Sequence, residues 1–564
     1  MKQKRTIFEY PLFTLSQKQM FTILNFCLSL RKQKTIFFCY SIHLFLFFFA
    51  LNSSAQPPNW QWAKQQNTSG SSTAQSVITD PYGNIYVTGN FFDASITFGI
   101  YTLNNDTVDG TSDMFIIKYN SSGNVIWAKS AGGSDNDRVS SIAADSSGIY
   151  IVGYYSSKFI RFDTLILPTD SLPSYSSQDM FISKYDTSGN VLWAKTAGGF
   201  SNETANSVSA DTSGIYVTGI FGPSSIIFDT TTLTPKTNPL ICIGAKDIFV
   251  VKYNKNGNVI WAKNTGGSCS EFPNGISLDY TGLYVIGGYD NSDIDFSFAS
   301  TTVVCHGDED IFILKYDKNG NEIWIRTAGG TNYDYATCLT ADSSGVYVGG
   351  IFASPTVAFA TGNLANINNL QPSYDIFIVK YNPLGMEVWK KREGGYGTDE
   401  ARSIFVDSSG VYLGGGFSSI LITFGSTTIY YAGMEDMFLT KYNFNGNVIW
   451  AKGNGSSNID VINSVAKYGK DIYVAGHFLS PTINFGPTIL TNSIYSQSHM
   501  FLAKTDTTFS TIGIPEFESN IGIRIYPNPF SNETTLSFNE EQIDLTIKII
   551  DLLGNEIKRY NSKK

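Results

Sequence analysis

The sequence predicts an all-β chain: a seven-bladed β-propeller of four-stranded blades closed by an N-terminal outer strand, then a small C-terminal β-sandwich-like module. Three observations predict it. Short markers recur seven times, each repeat reads as four turn-bounded strands, and the repeat region begins and ends with an unmatched strand. A fixed period of this length signals a repeat architecture. Of eight tryptophans, seven recur in one context, typically G-N-V-I-W-A-K: Trp62, Trp127, Trp193, Trp261, Trp324, Trp389 and Trp450. Their spacings are 65, 66, 68, 63, 65 and 61 residues. A second marker, D-[MI]-F-[ILV]-x-K-Y, begins at Asp113, Asp179, Asp247, Asp310, Asp375 and Asp436, with a worn copy from His499. A third, Y-[VIL]-x-G, places tyrosines at 86, 150, 216, 284, 347, 412 and 473. The fourth is a lone phenylalanine at 98, 162, 228, 296, 359, 424 and 485.

The third unit shows how the strands follow. Residues 207–211 form strand A, and Thr212-Ser213-Gly214 turns the chain into strand B, 215–221. A long B–C segment containing Phe228 leads to strand C, 247–253. The turn Asn254 to Asn258 then closes a hairpin into strand D, 259–263. Asn/Asp-x-x-Gly between β-branched and aromatic runs is a hairpin signal with a mechanism, since these residues favour tight turns. Strand C is apolar on both faces, so it needs cover on both sides, as neighbouring blades provide.

Closure follows from the ends. The strand-D motif at Trp62 has no strand C before it, and the strand C at Phe501 has no strand D after it. Pairing the two closes the ring and removes two exposed edges.

On these elements the repeats resemble the bacterial β-propeller repeats called SBBP, with G-N-x-x-W, D-x-x-G-x-Y-V-x-G and D-x-F-x-x-K-Y over roughly residues 57–510. The resemblance implies a secreted or surface protein. The tail contains Tyr526-Pro527-Asn528-Pro529-Phe530 and a strand-like run from Thr546 to Gly554. This is similar to the type A sorting domain of the type IX secretion system, a small β-sandwich that carries cargo across the outer membrane. It implies secretion machinery as a partner. Family members continue through further strands, so the tail is expected to be an incomplete copy.

The division expected is a signal peptide at 1–55, the propeller at 56–510, a linker at 511–520 and the sorting-like module at 521–564. The basic cluster Arg31 to Lys34, an apolar run from Ile36 to Leu51 and then Ser53-Ser54-Ala55 have the order of a secretory signal. Without that segment 32 basic and 47 acidic residues remain, a net charge of −15. A surface this acidic repels phosphate backbones, which argues against nucleic acid. No later apolar run is long enough to span a bilayer.

One ordered feature is a candidate metal site. Asp137, Glu203, Glu271, Asp334, Asp399 and Asp460 precede strand A at equivalent positions, with Ser72 in the first blade. A ring of carboxylates at the channel mouth would suit a hard cation such as calcium. The alternative is that each acid caps its own turn by accepting backbone N–H bonds. The repeated aspartates at 80, 145, 211, 279, 342 and 407 read as turn residues.

Cys242, Cys269 and Cys305 lie in neighbouring loops, where export permits a disulfide among the three, and Cys338 reads as a buried thiol in a strand. No catalytic residue or other cofactor is expected. His306, His477 and His499 share no blade position and match no ligand spacing. The D-x-x-G-N-x-x-W element (Asp186 to Trp193) approaches the tryptophan-docking motif of quinoprotein dehydrogenases without their adjacent cysteines. The function expected is an exported, non-catalytic binding or adhesion scaffold. It would take an extracellular protein or glycan on the face of the variable B–C loops. The alternative is a secreted hydrolase or quinoprotein-like enzyme with its site in those loops.

Overall fold

The protein was examined as a computed structural model, which describes residues 57–506 apart from 68–69, 107–109, 169–176, 237–241, 243, 291–295, 369–372 and 495. It also describes four strands between 523 and 561. The signal peptide and the linker expected from the sequence lie outside the described residues.

Residues Ser54–Phe509 form one compact unit. In the third blade, strands A to D are Thr204–Asp211, Gly214–Phe221, Asp247–Tyr253 and Val259–Thr265, paired antiparallel in that order. Seven such sheets form the seven-bladed propeller. The residues alternate as the pleat requires, and strand C is buried along its whole length in the blade, as its two apolar faces demand. There are seven apolar cores, one for each contact between neighbouring blades. The core joining the last blade to the first is as complete as the others, with Phe115 and Ile117 against Tyr473, Met500 and Leu502.

Closure is direct. Trp60–Gln65 pairs antiparallel with His499–Asp506, from Trp60 opposite Thr505 to Gln65 opposite Phe501, and completes the seventh sheet. The eighth tryptophan, outside the repeat pattern, belongs to this seam. Trp60 packs edge-on against Phe485 at 5.0 Å, and the Lys452 ammonium stands 4.3 Å over its ring. The Lys452 Nζ also donates to the Pro58 carbonyl (2.7 Å), and burial lowers its pKa to about 7.

The markers explain themselves in contacts. In all seven blades the motif tyrosine, lysine and tryptophan stand side by side across strands B, C and D. Tyr–Trp ring centroids lie 5.9–6.3 Å apart. The lysine ammonium lies 4.2–5.7 Å from the tyrosine centroid. Six of the seven indoles then reach the C–D turn of the following blade; the seventh blade, closed by the N-terminal strand, has no such turn to receive Trp450. Trp127 Nε1 donates to Thr187 O (3.2 Å), Trp193 to Lys255 O (3.1 Å), Trp324 to Pro383 O (3.1 Å) and Trp389 to Phe444 O (2.9 Å). Glycine is required in that turn twice over. Gly189 has a φ of +88°, and a Cβ there would stand 2.9 Å from the Trp127 ring.

The glycine of Y-x-x-G has a different cause. Strand A carries a β-bulge in every blade. The bulge drives a strand-A carbonyl toward strand B, and a Cβ on Gly219 would meet Thr204 O at 1.9 Å. The bulged residues bond from blade to blade: Asn206 Nδ2 to Pro273 O, Asn274 Nδ2 to Ala336 O and Asn463 Nδ2 to Ala74 O, each 2.8 Å.

The B–C segments differ from expectation. Their first half is a short β-hairpin in every blade, such as Ser95–Phe98 with Tyr101–Asn104. In six blades the lone phenylalanine ends the first hairpin strand and packs on the strand-C phenylalanine, as Phe98 does on Phe115 at 5.1 Å. In the fourth blade Phe296 lies just before its hairpin and contacts Phe312 at 5.8 Å. The hairpins also bridge to the outer strand of the preceding blade, with Ala358 N donating to Gly329 O (2.9 Å). The variable B–C segments therefore begin as hairpin strands, and Leu233 of the third blade is buried.

Residues 523–561 hold two antiparallel hairpins, Ile523–Tyr526 with Thr535–Phe538 and Thr546–Ile550 with Glu556–Asn561.

Deleting residues 59–64 strips the seventh blade of its outer strand and removes Trp60 and Trp62. The expected loss is several kcal/mol, of which a buried indole accounts for about 3–5. An unchanged chemical-denaturation midpoint would refute closure by this strand.

Candidate functional site

The six acids predicted as a cation ring are fully buried, and each stands beside one other acid. Each lies at the junction with the preceding blade, whose strand C begins with the motif aspartate. The pairs are Asp113 with Asp137, Asp179 with Glu203, Asp247 with Glu271, Asp310 with Asp334, Asp375 with Asp399, and Asp436 with Asp460. The backbone sets this pairing: Asp137 N donates to Ser112 O (2.7 Å), and Glu203 N donates to Gln178 O (2.7 Å). A glycine sits between the carboxyls. A Cβ on Gly266 would stand 2.5 Å from Glu271 Oε2 and 2.8 Å from Asp247 Oδ1. The seventh junction carries Ser72 and His499 instead, joined by Ser72 N to Ser498 O (2.7 Å) and Met500 N to Ser72 Oγ (3.1 Å).

The strand-A acids are well supplied with donors. Asp137 accepts the Ser157 hydroxyl (2.7 Å) and the Ser156 and Ser157 amides; Asp334, Asp399 and Asp460 accept Ser354, Ser419 and Ser480 in the same way. Glu203 and Glu271, one methylene longer, accept from Gly199 N and Gly267 N. This is the capping geometry. Among the described residues no three His, Cys, Asp or Glu side chains are grouped to hold a metal ion. The six acids therefore do not converge on a shared cation, and each junction offers two carboxyls.

Burial raises the pKa values in several of these pairs, and on Asp137, Glu203, Asp334 and Asp399 the neighbouring acid adds to the effect. Asp137 is pushed up to about 8, Glu203 to about 9, and Asp334 and Asp399 to about 7. On the partner strand Asp113 and Asp375 rise to about 7.

The face built by A–B and C–D turns varies less, its A–B connection running from residues 146–147 in the second blade to 80–84 in the first. The predicted turn aspartates cap their turns, as Asp211 Oδ1 does by accepting Ser213 N (2.7 Å). The first C–D residue does the same: Asn120 Oδ1 accepts from Ser122 N and Asn124 N, both at 3.0 Å. On the opposite face the connection from hairpin to strand C varies from residues 431–435 in the sixth blade to 234–246 in the third. There Cys242 is disulfide-bonded to Cys269 with Cα atoms 5.2 Å apart, while Cys305 and Cys338 are free thiols, Cys338 buried as expected. Closing a loop of this size contributes about 3–4 kcal/mol on chain-entropy grounds.

The histidines occupy separate places. His306 is exposed beside Asp310, with Nδ1 3.4 Å from its carboxylate. His477 is half-buried, its Nδ1 3.3 Å from Asn463 Nδ2, and desolvation of the ring followed by the Arg402 charge lowers its pKa to about 4. His499 stands edge-on to Phe478 at 5.8 Å.

Two arrangements escaped the sequence reading. The spacing of each acid pair is constant at 24 residues, a signal present in the sequence. Glu309, Tyr335 and Tyr374, near the junction of the fourth and fifth blades, follow no pattern shared by all blades.

The raised values fix the sign of a pH effect. A folded carboxyl that holds its proton above the ordinary range stabilises the fold fully below about pH 4. That contribution is lost as pH rises through about 7 to 9. The melting temperature should therefore fall from pH 5 to pH 9, and less steeply in an Asp137→Asn, Glu203→Gln double variant. A midpoint that is flat or rises over this range contradicts the paired-acid description.

Comparison with known proteins agrees with the architecture. Residues 61–90 match the family described as Beta-propeller repeat, SBBP, and residues 524–564 match the Secretion system C-terminal sorting domain. An uncharacterized WD repeat-containing protein of Acanthamoeba polyphaga mimivirus is 25% identical over 57% of this chain and 27% of its own length. The regulatory protein FlaEY of Caulobacter vibrioides is 25% identical over 26% of this chain and 15% of its own. The chain thus spans about a quarter or less of these relatives. The WD40 domain of Neurospora crassa Pan2 aligns over 66% of this chain and 89% of its own, with 8% identity and a TM-score of 0.32. Among the described residues no helix is long and apolar enough to cross a membrane. The chain thus carries an SBBP propeller repeat at 61–90 and, at 524–564, a sorting domain that indicates secretion by the type IX system to the outer cell surface.

Proposed function

We propose that this exported propeller is a non-catalytic binding or adhesion scaffold whose ligand, an extracellular protein or glycan, docks on the face of B–C and D–A connections. One observation carries this reading: chain length varies most on that face, where the same connection runs from 431–435 in one blade to 234–246 in another, on a scaffold that is otherwise repeated. Binding surfaces on rigid scaffolds are built from such loops. The opposite face is committed to its own architecture, since its turn carbonyls receive the indoles and its turn aspartates cap the backbone or meet lysines, as Asp211 meets Lys318 at 2.6 Å. The loop face presents side chains with no blade-to-blade rule, among them the exposed Phe200, Tyr396 and Met434. The placement of the histidines, each engaged in or beside its own blade, supports the non-catalytic reading.

The test is a graft. Residues 431–435 replace 234–246 and 366–374, and binding is scored on a protein and glycan array. A Cys242→Ser, Cys269→Ser variant controls for the lost disulfide. The graft is expected to melt with the control and to lose the array signal. Retained binding, coupled with loss on altering the turn at 254–258, would place the working surface on the other face.

A further inference from the structure

Where strand C of the fourth blade begins, Glu309 folds over Gly288, at which a Cβ would stand 2.4 Å from its Oε1. Its backbone bridges to Tyr333 of the D–A loop, which is half exposed. Across the blade junction stand Tyr335, at the head of strand A, and Tyr374, just before strand C. Their ring centroids are 6.2 Å apart at an interplanar angle of 64°. Both phenols are raised by burial, and Glu309 and Glu400 add to the effect. The tyrosines and Glu309 therefore share one neighbourhood.

Charge in this neighbourhood is unbalanced. Glu400 is compensated, because Arg402 lies 2.9 Å from it and 3.1 Å from Glu435. Glu309 has no such partner. Burial, then the charges of Asp290 and Asp334, push its pKa up to about 7. Among the described residues no lysine, arginine or histidine is in ion-pair distance of it. The blade does not require an unpaired acid here: positions equivalent to Glu309 hold Ser112, Gln178, Lys246, Tyr374 and Ser498 elsewhere, and the one other acid, Glu435, is met by Arg402.

We propose that Glu309, Tyr335 and Tyr374, with Tyr333 at the rim, form a binding site for a protonated primary amine, the ammonium of a lysine on a partner protein. This rests on the loop face being the working face. A carboxylate beside tyrosine rings gives an ammonium both Coulombic and cation–π attraction. A divalent cation wants six to eight oxygens, more than one carboxylate and three neutral phenols supply. An anion is repelled, and a neutral sugar leaves the Glu309 charge uncompensated.

The experiment is saturation-transfer NMR on the full chain with a capped Gly-Lys-Gly peptide. The same peptide carrying Nε-acetyllysine and an N-acetylglucosamine oligomer are the comparisons. The lysine peptide is expected to bind and the acetylated peptide not to bind. Glu309→Gln should weaken binding about tenfold or more, the scale of one charged contact. Tyr374→Leu, an independent variant should the first misfold, should weaken it several-fold. An absent lysine signal, equal binding of the acetylated peptide, or Glu309→Gln and Tyr374→Leu proteins that melt normally and bind as before would overturn the assignment. Sugar binding that is lost in the loop graft but indifferent to Glu309→Gln would overturn the amine site while leaving the loop face as the working surface.

Discussion

Six of the seven blades give one indole to the next. That tryptophan of strand D lies on a glycine of the neighbouring C–D turn, and in five of the six it donates its single N–H to a carbonyl there. Both ends of that contact are constrained. The indole must be braced, which the tyrosine and lysine of strands B and C do, and the turn must present a bare Cα and a free carbonyl. The Asn/Asp-x-x-Gly turn meets both conditions because its first residue holds the backbone while glycine adopts a positive φ. A ring built from one directional contact has no internal freedom to change its blade spacing, and the remaining diversity is confined to connections that the contact does not touch.

The repeat made the architecture legible. Motifs of four to seven residues are weak singly, yet tryptophan, Tyr-x-x-Gly and Asp-x-Phe each marked one strand of every blade, and the unmatched ends identified the seam. The hairpin inside the B–C segment was missed because its strands are two to four residues long and rich in threonine and asparagine, too short for alternation to show. A signal did exist: the phenylalanine is followed by Gly or Asp at a positive φ in five blades, as at Gly99, Asp163, Asp229, Gly425 and Gly486. The acids were found as a column and misread as a ring, since period alone does not say which way a side chain faces. Their partners, the motif aspartates, had already been assigned to strand C and were not asked to do a second thing.

Buried acid pairs are an unusual way to join apolar blades, because burying one charge is costly and two like charges more so. The junctions manage this by surrounding each strand-A acid with hydroxyl and amide donors and by keeping a proton on the pair. The seventh junction differs. Serine and histidine replace the acids where the two ends of the chain meet, so the seam has no carboxyl pair to ionise.

That seam also has a mechanical character. Trp60 lies opposite Thr505 and Gln65 opposite Phe501, so the chain enters and leaves the propeller at the same end of one antiparallel pair. Tension applied through the two termini loads the ladder bonds of that pair one after another, from Trp60 inward, instead of all together in shear. The strand peels like a zipper at modest force, while the six continuous blades carry no load until it is gone. Anchored at a cell surface through one end, the ring would yield first at its latch.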